Sequence, residues 1–212
     1  MARLAVFDLD GTLVDSLRDL ADAINHMRGT FDLPPLSPDA ARACIGDGIR
    51  KLVERALDGG GGDLEQAVAR MKAFYGEHLT DHTRIYPGVE AALTRLRANG
   101  VILAMVSNKD FRESRTILDR NGVLGYFSDL IGGDSGFAFK PAPDALLSLQ
   151  EKYALSPGEC WMVGDHVTDM EAGRRAGYRR IFCTNGFGEL RGEKPDFEVD
   201  SFAEVAETIL DH

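Results

Sequence analysis

Residues 4–12, Leu-Ala-Val-Phe-Asp-Leu-Asp-Gly-Thr, contain the pattern that decides the fold. The apolar run Leu4–Leu9 is typical of a strand buried on both faces of a parallel sheet. Asp8 and Asp10 are two positions apart, so both carboxylates point the same way from an extended strand. Gly11 permits a sharp turn and leaves backbone N–H groups accessible to an anion. The stretch therefore predicts a buried strand that ends in an acidic turn.

Four similar apolar runs occur later in the chain and alternate with segments of helical periodicity. The runs are Val101–Ser107, Leu130–Gly132, Cys160–Gly164 and Arg180–Thr184. The helical segments include Val89–Ala98, Arg112–Arg120 and Pro143–Tyr153, and Ser201 with Glu204 forms a capping box that starts the last helix. Strands that alternate with helices predict a doubly wound, mostly parallel, Rossmann-like α/β sheet.

One segment, from Ser16 to Thr83, contains helical patterns and no convincing strand. It is interrupted by Pro34-Pro35, by the Ser37-Pro38 helix start and by the glycine run Gly59–Gly62. We therefore expect a small helical cap domain, residues 16–83, inserted after the first strand of a catalytic core. The core would comprise residues 1–15 and 84–212.

Composition limits the partners and the compartment. The 212 residues carry a formal net charge of −10, which argues against a nucleic-acid partner because phosphate contacts need clustered Lys and Arg. The longest apolar run, Val101–Val106, is too short to span a bilayer. The three cysteines are far apart and form no CxxC motif, which is typical of a reducing compartment. We expect a cytoplasmic monomer or homodimer with no membrane partner.

Polar and charged residues recur where the later strands are predicted to end. Ser107 and Asn108 follow the second strand, Lys140 follows the third, and Asp165 and Asp169 follow the fourth. Each has an ordinary alternative as a turn residue, a solvated lysine or a helix cap. Because ligands of open α/β sheets bind beyond the carboxyl ends of the strands, their joint occurrence predicts one site. Its carboxylates suit a hard divalent cation, and its hydroxyl, amide and lysine suit phosphate oxygens.

These residues make the sequence resemble the haloacid dehalogenase-like phosphohydrolases. The four matching motifs are DLDGT at 8–12, VSN at 106–108, KP at 140–141 and GDHVTD at 164–169. The resemblance is greatest to the phosphoglycolate phosphatase branch. The segments that carry this further resemblance are Val14-Asp15-Ser16, Ile45-Gly46-Asp47-Gly48, Asn108-Lys109 and Lys140-Pro141-Ala142-Pro143.

The resemblance implies a mechanism and a cofactor. Asp8 would be the nucleophile that forms an aspartyl-phosphate, and Asp10 would be the general acid and base. Mg²⁺ would be held by the Asp8 carboxylate, the Asp10 backbone carbonyl and Asp165, with support from Asp169. The groups implied to bind the phosphoryl oxygens are the backbone around Gly11 and Thr12, together with Ser107, Asn108 and Lys140.

The implied activity is Mg²⁺-dependent hydrolysis of a small phosphorylated metabolite, with 2-phosphoglycolate as the first candidate. Arg18, Arg50 and Lys51 are candidates for contacting a substrate carboxylate, although a solvated basic helix surface explains them equally well. His166 occupies a variable position of the fourth motif, where we expect no role. Two alternatives remain open: a phosphosugar mutase of the same family, and a receiver-type signalling module that keeps the phosphate on Asp8.

Overall fold

The computed structural model describes residues 3–60 and 62–212. Met1 and Ala2, in the predicted core, and Gly61, in the predicted cap, lie outside the described residues. Within these residues the strands are β1 (Arg3–Phe7), β2 (Val14–Asp15), β3 (Arg84–Ile85), β4 (Val101–Val106), β5 (Asp129–Ile131), β6 (Cys160–Gly164), β7 (Arg179–Cys183) and β8 (Phe197–Val199). The α-helices are α1 (Leu17–Gly29), α2 (Pro38–Arg42), α3 (Ile49–Leu57), α4 (Leu64–Glu77), α5 (Val89–Ala98), α6 (Phe111–Arg120), α7 (Asp144–Lys152), α8 (Val167–Ala176) and α9 (Phe202–Asp211).

Six of the strands form one sheet in the order β5-β4-β1-β6-β7-β8, and every neighbouring pair is parallel. The chain builds outward from β1 to one edge and then returns to build the other half. The strand order reverses beside β1, so a crevice opens there at the carboxyl ends of the strands. This confirms the doubly wound, Rossmann-like α/β sheet.

Strand β1 lies at the centre and is buried on both faces. Leu4 and Val6 belong to the apolar cluster that includes residues of α7 and α8, whereas Ala5 and Phe7 belong to the cluster that includes residues of α5 and α9. An apolar run without alternation is what a strand covered by helices on both sides requires. The central strand therefore holds the turn that follows it in a fixed position.

The segment between β2 and β3 is helical in the described residues and contains α1 to α4. Helix α1 packs against α4, and α3 also packs against α4. The buried carboxylate of Asp19, in α1, accepts hydrogen bonds from the backbone N–H groups of His82 and Thr83 at 2.8–3.1 Å and from the Thr83 hydroxyl at 2.6 Å. The two ends of the segment are thereby joined. Its division from the core as a separate cap domain stays a prediction.

Three short strands were not predicted. The two-residue strands β2 and β3 form an antiparallel pair at the ends of the helical segment, and the three-residue β8 lies at the edge of the sheet. Runs of two or three residues are too short to show a periodicity, so pairing partners alone define them. The predicted cap of the last helix is present, since Ser201 Oγ accepts from the Glu204 N–H at 3.4 Å. Among the described residues, no helix has the length and apolar character needed to cross a membrane.

Candidate active site

The carboxyl ends of the central strands bring the predicted site residues together. Asp8 and Asp10 follow β1, Ser107 and Asn108 follow β4, and Lys140 lies between β5 and α7. Asp165 follows β6, and Asp169 lies in the first turn of α8. We call the set Asp8, Asp10, Ser107, Asn108, Lys109, Lys140, Asp165 and Asp169 the floor of the pocket.

Lys140 is the buried cation at the centre of the floor. Three oxygens surround its ammonium nitrogen: Asp169 Oδ1 at 2.7 Å, the Val106 carbonyl at 2.8 Å and Asp8 Oδ1 at 2.9 Å. Burial lowers the pKa of Lys140, but Asp169 and Asp8 outweigh it and raise the pKa to about 12. The lysine is therefore charged and compensates two of the acids.

Asp8 has few partners for its buried oxygen. Its Oδ1 lies 2.9 Å from the ammonium nitrogen of Lys140 and accepts no further hydrogen bond from the described residues. Burial raises the pKa of the Asp8 carboxyl to about 6, with Asp169 and Asp10 adding to the effect and Lys140 opposing it. A buried carboxylate oxygen with so few partners is stabilised further when a ligand or cation binds to it.

Asp165 is held in place by three donors. The Thr12 hydroxyl donates to Oδ1 at 2.8 Å, and the backbone N–H groups of Phe187 and Gly188 donate to Oδ2 at 3.1 and 2.8 Å. Burial, with Asp169 and Asp8 adding, raises the pKa of Asp165 to about 8. A Cβ on Gly11 would lie 2.1 Å from Asp165 Oδ2, and the φ of Gly11 is +81°, so only glycine fits here.

The Asp10 carboxylate has partners of a different kind. Oδ1 accepts from the Ser16 hydroxyl at 2.5 Å, and Oδ2 lies 2.9 Å from the ammonium group of Lys109. Lys109 in turn donates to the Tyr75 hydroxyl at 2.8 Å, and its nitrogen lies 4.5 Å from the centre of the Tyr75 ring. A chain of contacts therefore runs from Asp10 through Lys109 to helix α4.

The side chain of Asn108 is occupied by backbone groups. It donates to the Lys140 carbonyl at 3.0 Å and to the Gly46 carbonyl at 3.3 Å, and it accepts from the Lys140 N–H at 2.9 Å. Ser107 Oγ accepts from the Lys109 N–H at 3.3 Å. Both residues line the pocket, where their proposed contact with phosphate stays a prediction. In this arrangement Asn108 positions Lys140, and Thr12 positions Asp165.

The donor set of the floor fits a divalent cation. Asp8, Asp165 and Asp169 each offer an oxygen, and these oxygens lie within 4.8 Å of one another. With Asp10 they make four carboxylates against the two ammonium groups of Lys109 and Lys140, a formal excess of two negative charges. Carboxylate oxygens are the ligands that Mg²⁺ prefers, and a divalent ion would balance this excess. The buried Oδ1 of Asp8, which accepts no hydrogen bond beyond its contact with Lys140, is consistent with the same ligand set.

The helical segment closes the other side of the pocket. We call its pocket-lining side chains the roof: Leu20, Ile45, Ile49, Leu52, Met71 and Tyr75; Gly46 and Gly48 also line the pocket. Apart from the Tyr75 hydroxyl, the side chains of the roof are apolar. The pocket is partly open and has a volume of about 70 Å³, room for about five to seven water molecules at roughly 10–15 Å³ each. A small ligand that turns charged groups toward the floor is what this space and lining favour.

The family can be assigned from the whole chain. The family model for haloacid dehalogenase-like hydrolases matches residues 5–183, which include every residue of the floor. The chain belongs to this family.

Within these hydrolases, the chain is similar to proteins named phosphoglycolate phosphatase. It is 38% identical over 209 residues to that of Chromobacterium violaceum, which covers 96% of this chain and 94% of the relative. It is 35% identical over 215 residues to that of Haemophilus influenzae strain Rd, with 96% of each chain covered. The predicted resemblance to the family and to this branch is confirmed.

Solved structures agree with this assignment. A crystal structure described as a predicted phosphoglycolate phosphatase from Haemophilus somnus has a TM-score of 0.92 and 34% identity, with 97% of both chains covered. A haloacid dehalogenase-like family protein from Streptococcus pneumoniae has a TM-score of 0.86 over 97% of both chains. Because the two sequences are only 22% identical, this likeness is evidence for the fold alone.

The basic residues of the helical segment do not reach the pocket of this hydrolase. Arg50 pairs with Glu65 and Lys51 pairs with Glu54 at 3.0 Å, all with more than half of the side chain exposed. Arg18 is also exposed. Among the described residues, none of the three lines the pocket. All three therefore lie on a solvated surface of the helical segment, as the alternative interpretation of the sequence described.

Two pocket residues, Lys109 and Tyr75, were missing from the predicted site. Lys109 directly follows Ser107 and Asn108 at a strand end, which is a signal that sequence reasoning had available. Tyr75 occurs in helix α4 outside any motif, and nothing in the sequence indicated its contact with Lys109. His166 also lines the pocket and caps α8, its Nδ1 accepting from the Thr168 N–H at 3.3 Å. Burial lowers the pKa of His166, which favours the neutral imidazole.

Proposed function

We propose that this hydrolase is a Mg²⁺-dependent phosphatase for a small phosphorylated acid, with 2-phosphoglycolate as the first candidate substrate. The observation that carries the proposal is the Asp8 carboxylate, which lies in the pocket 2.9 Å from Lys140, near a second carboxylate, Asp10, and within 4.8 Å of oxygens of Asp165 and Asp169. The names of the relatives and the small, charged pocket support the choice of substrate.

In the first step, a carboxylate oxygen of Asp8 attacks phosphorus and the bond from phosphorus to the ester oxygen breaks. Asp10 gives its proton to the departing oxygen, which leaves as an alcohol. Ser16 and Lys109 hold the Asp10 carboxyl in position for this transfer. The products of the step are the free hydroxy acid and an aspartyl-phosphate on Asp8.

In the second step, Asp10 takes a proton from water, and the water oxygen attacks phosphorus. The bond from phosphorus to the Asp8 oxygen breaks, which releases phosphate and regenerates the carboxylate. Lys140, between Asp8 and Asp169, keeps positive charge next to the reacting group throughout. Asp8, Asp165 and Asp169 would hold Mg²⁺, which when bound neutralises charge on the transferring phosphoryl group.

The test is phosphate release from a panel that contains 2-phosphoglycolate, several sugar phosphates and pyrophosphate, with Mg²⁺ and with a chelator. We expect metal-dependent release from 2-phosphoglycolate that is lost in Asp8→Asn. Asp119→Asn, the same change at an exposed position of α6, is the matched control and should retain activity. Acid quenching during turnover, followed by mass measurement, should find a phosphate on the peptide that contains Asp8.

Other outcomes would replace the proposal. Interconversion of sugar phosphates without net phosphate release would favour the mutase. A phosphorylated Asp8 that persists after the donor is removed would favour the receiver-type module. Release from every ester at similar weak rates would keep the chemistry and contradict the substrate.

A further inference from the structure

Lys109 is the pocket cation with capacity for a further ligand. Three oxygens surround the ammonium nitrogen of Lys140 within 2.9 Å. Around the nitrogen of Lys109 there are two, Asp10 Oδ2 at 2.9 Å and the Tyr75 hydroxyl at 2.8 Å. An ammonium group has three N–H donors, so Lys109 keeps one for a ligand in the pocket that it lines.

The environment of Lys109 makes an anion the fitting ligand. Its side chain is only 7% exposed, and Met71 and Leu52 of the roof line the same pocket. Burial lowers the pKa of Lys109, but the charge of Asp10, with Tyr75 and Glu113, raises it above its ordinary value. Glu113 also lines this pocket, and among the described residues no hydrogen bond joins it to Lys109. A charged donor away from water binds a carboxylate more strongly than it binds a neutral group.

The position of Lys109 relative to Asp10 defines which anion it can reach. Under the proposed function, Asp10 contacts the oxygen that leaves phosphorus, and Lys109 lies directly beside Asp10. In 2-phosphoglycolate a single CH₂ group separates that oxygen from the carboxylate. A group bound to Lys109 is therefore at the distance from the scissile bond that a short phosphorylated acid requires.

We propose that Lys109 binds the substrate carboxylate and selects phosphorylated acids over phosphate esters that lack a carboxylate. This inference rests on the proposed function. Tyr75 is the positioning residue, since its hydroxyl and ring hold the ammonium group from the roof. Burial, with Asp10 adding, raises the pKa of Tyr75, so its hydroxyl remains neutral and can accept the hydrogen bond. Selection of the acid thus depends on contact between helix α4 and the floor. The proposal places binding of the substrate carboxylate in the floor, whereas the sequence suggested Arg18, Arg50 and Lys51 for that contact.

The experiment compares kcat/KM for 2-phosphoglycolate and for ethyl phosphate, in which a methyl group replaces the carboxylate, at saturating Mg²⁺. The readout is the ratio of the two values, because a general loss of activity cancels in it. For Lys109→Met we expect the ratio to fall by about 10- to 100-fold, the range for a lost charge-assisted hydrogen bond. Lys109→Arg should retain most of the ratio. Lys152→Met, the matched control, removes an exposed lysine of α7 that pairs with Asp129, and because neither residue lines the pocket the ratio should not change.

An unchanged ratio in folded Lys109→Met would overturn the inference while leaving the proposed function intact. If Lys109→Met does not fold, as judged by circular dichroism, Tyr75→Phe is the second variant. The ratio should then fall by about 3- to 10-fold, less than for Lys109→Met, because Tyr75 acts only through the position of Lys109 and the ring contact remains. An unchanged ratio there would also overturn the inference. A wild-type protein that hydrolyses neither ester would contradict the proposed function, and this inference with it.

Discussion

The floor and the roof of the pocket meet across a small cavity but are stabilised in opposite ways. The floor holds four carboxylates and two lysines, whose charges compensate one another incompletely. The roof buries apolar side chains, such as Met71, and contributes one polar group, the Tyr75 hydroxyl. The difference suggests a division of roles, in which the floor performs the chemistry and binds the charged groups of the substrate, and the roof restricts what enters. Substitutions on the two sides should therefore change different kinetic parameters.

The largest effect is expected for Lys140→Met in the floor. The substitution leaves Asp8 and Asp169 without their shared cation, and removing one partner of a buried ion pair costs about 3–5 kcal/mol of stability. Loss of the positive charge next to the reacting group should lower kcat by about 10²- to 10³-fold. Thermal unfolding and steady-state kinetics on 2-phosphoglycolate measure the two effects.

Lys72→Met is the matched control for Lys140→Met, because Lys72 is 43% exposed and pairs with Asp110 outside the floor. Its free energy of unfolding should lie within about 1 kcal/mol of the wild-type value. A fully active Lys140→Met protein would contradict the assignment of the chemistry to the floor.

Thr12→Val should weaken metal binding with little effect on the chemistry. The substitution keeps the shape of the side chain and removes the hydroxyl that donates to Asp165. Loss of a group that orients a metal ligand typically costs about 10- to 100-fold in metal affinity. We expect the Mg²⁺ concentration for half-maximal activity to rise by that factor and kcat at saturating Mg²⁺ to stay within about 3-fold of the wild type.

A Mg²⁺ titration of phosphate release checks this expectation for Thr12. Thr116→Val, whose hydroxyl donates to the Arg112 carbonyl within α6, serves as the control and should not change the Mg²⁺ dependence. An unaltered dependence in Thr12→Val as well would mean that the Thr12 hydroxyl does not orient a metal ligand, since Phe187 and Gly188 would then suffice to hold Asp165.

The floor was largely predictable from the sequence, and the roof was not. Parallel strands carry their carboxyl ends to one edge of the sheet, so the positions of Asp8, Ser107 and Asp165 followed from where the apolar runs stop. The exposed cations Arg50 and Lys51 illustrate the limit, because α3 turns them toward Glu65 and Glu54. Which face of a helix meets a cleft depends on packing between helices that are distant in sequence.

The contact between Tyr75 and Lys109 shows the same limit at the level of one hydrogen bond. The two residues are 34 positions apart and belong to different motifs or to none. Their meeting depends on how α4 packs against α1 and α3, which no local pattern specifies. Similarly, the backbone around Thr12 was predicted to contact phosphate, which stays a prediction, and the structure adds a separate role for the hydroxyl, which donates to Asp165. The partner of the hydroxyl could be identified only from the structure.

Ile49→Ala in the roof should alter substrate selection and spare the chemistry. Ile49 begins α3, lines the pocket and is partly exposed, so its truncation enlarges the cavity at modest cost to stability. We expect KM for 2-phosphoglycolate to rise by about 3- to 10-fold, less than the full value of a buried methylene contact because Ile49 is partly exposed. The value of kcat and the Mg²⁺ dependence should stay close to those of the wild type. A fall in kcat with unchanged KM would contradict the division between roof and floor.

The smallest effect is expected for the double substitution of Arg50 and Lys51 by glutamine. Both side chains form exposed ion pairs, with Glu65 and Glu54, and such pairs contribute about 0–1 kcal/mol to stability. Because neither residue lines the pocket, kcat/KM for 2-phosphoglycolate should change by less than about 2-fold, the range of a distant surface charge screened by salt. Measuring kcat/KM for both variants, the double variant and Lys109→Met, at 0.15 M salt allows their effects to be compared directly.

If the double variant loses its preference for the acid and Lys109→Met keeps it, the carboxylate is bound from the helical segment and the roof takes part in recognition through charge. If the order of effects is the reverse, the floor binds both ends of the substrate, and the roof acts by exclusion and by holding Lys109.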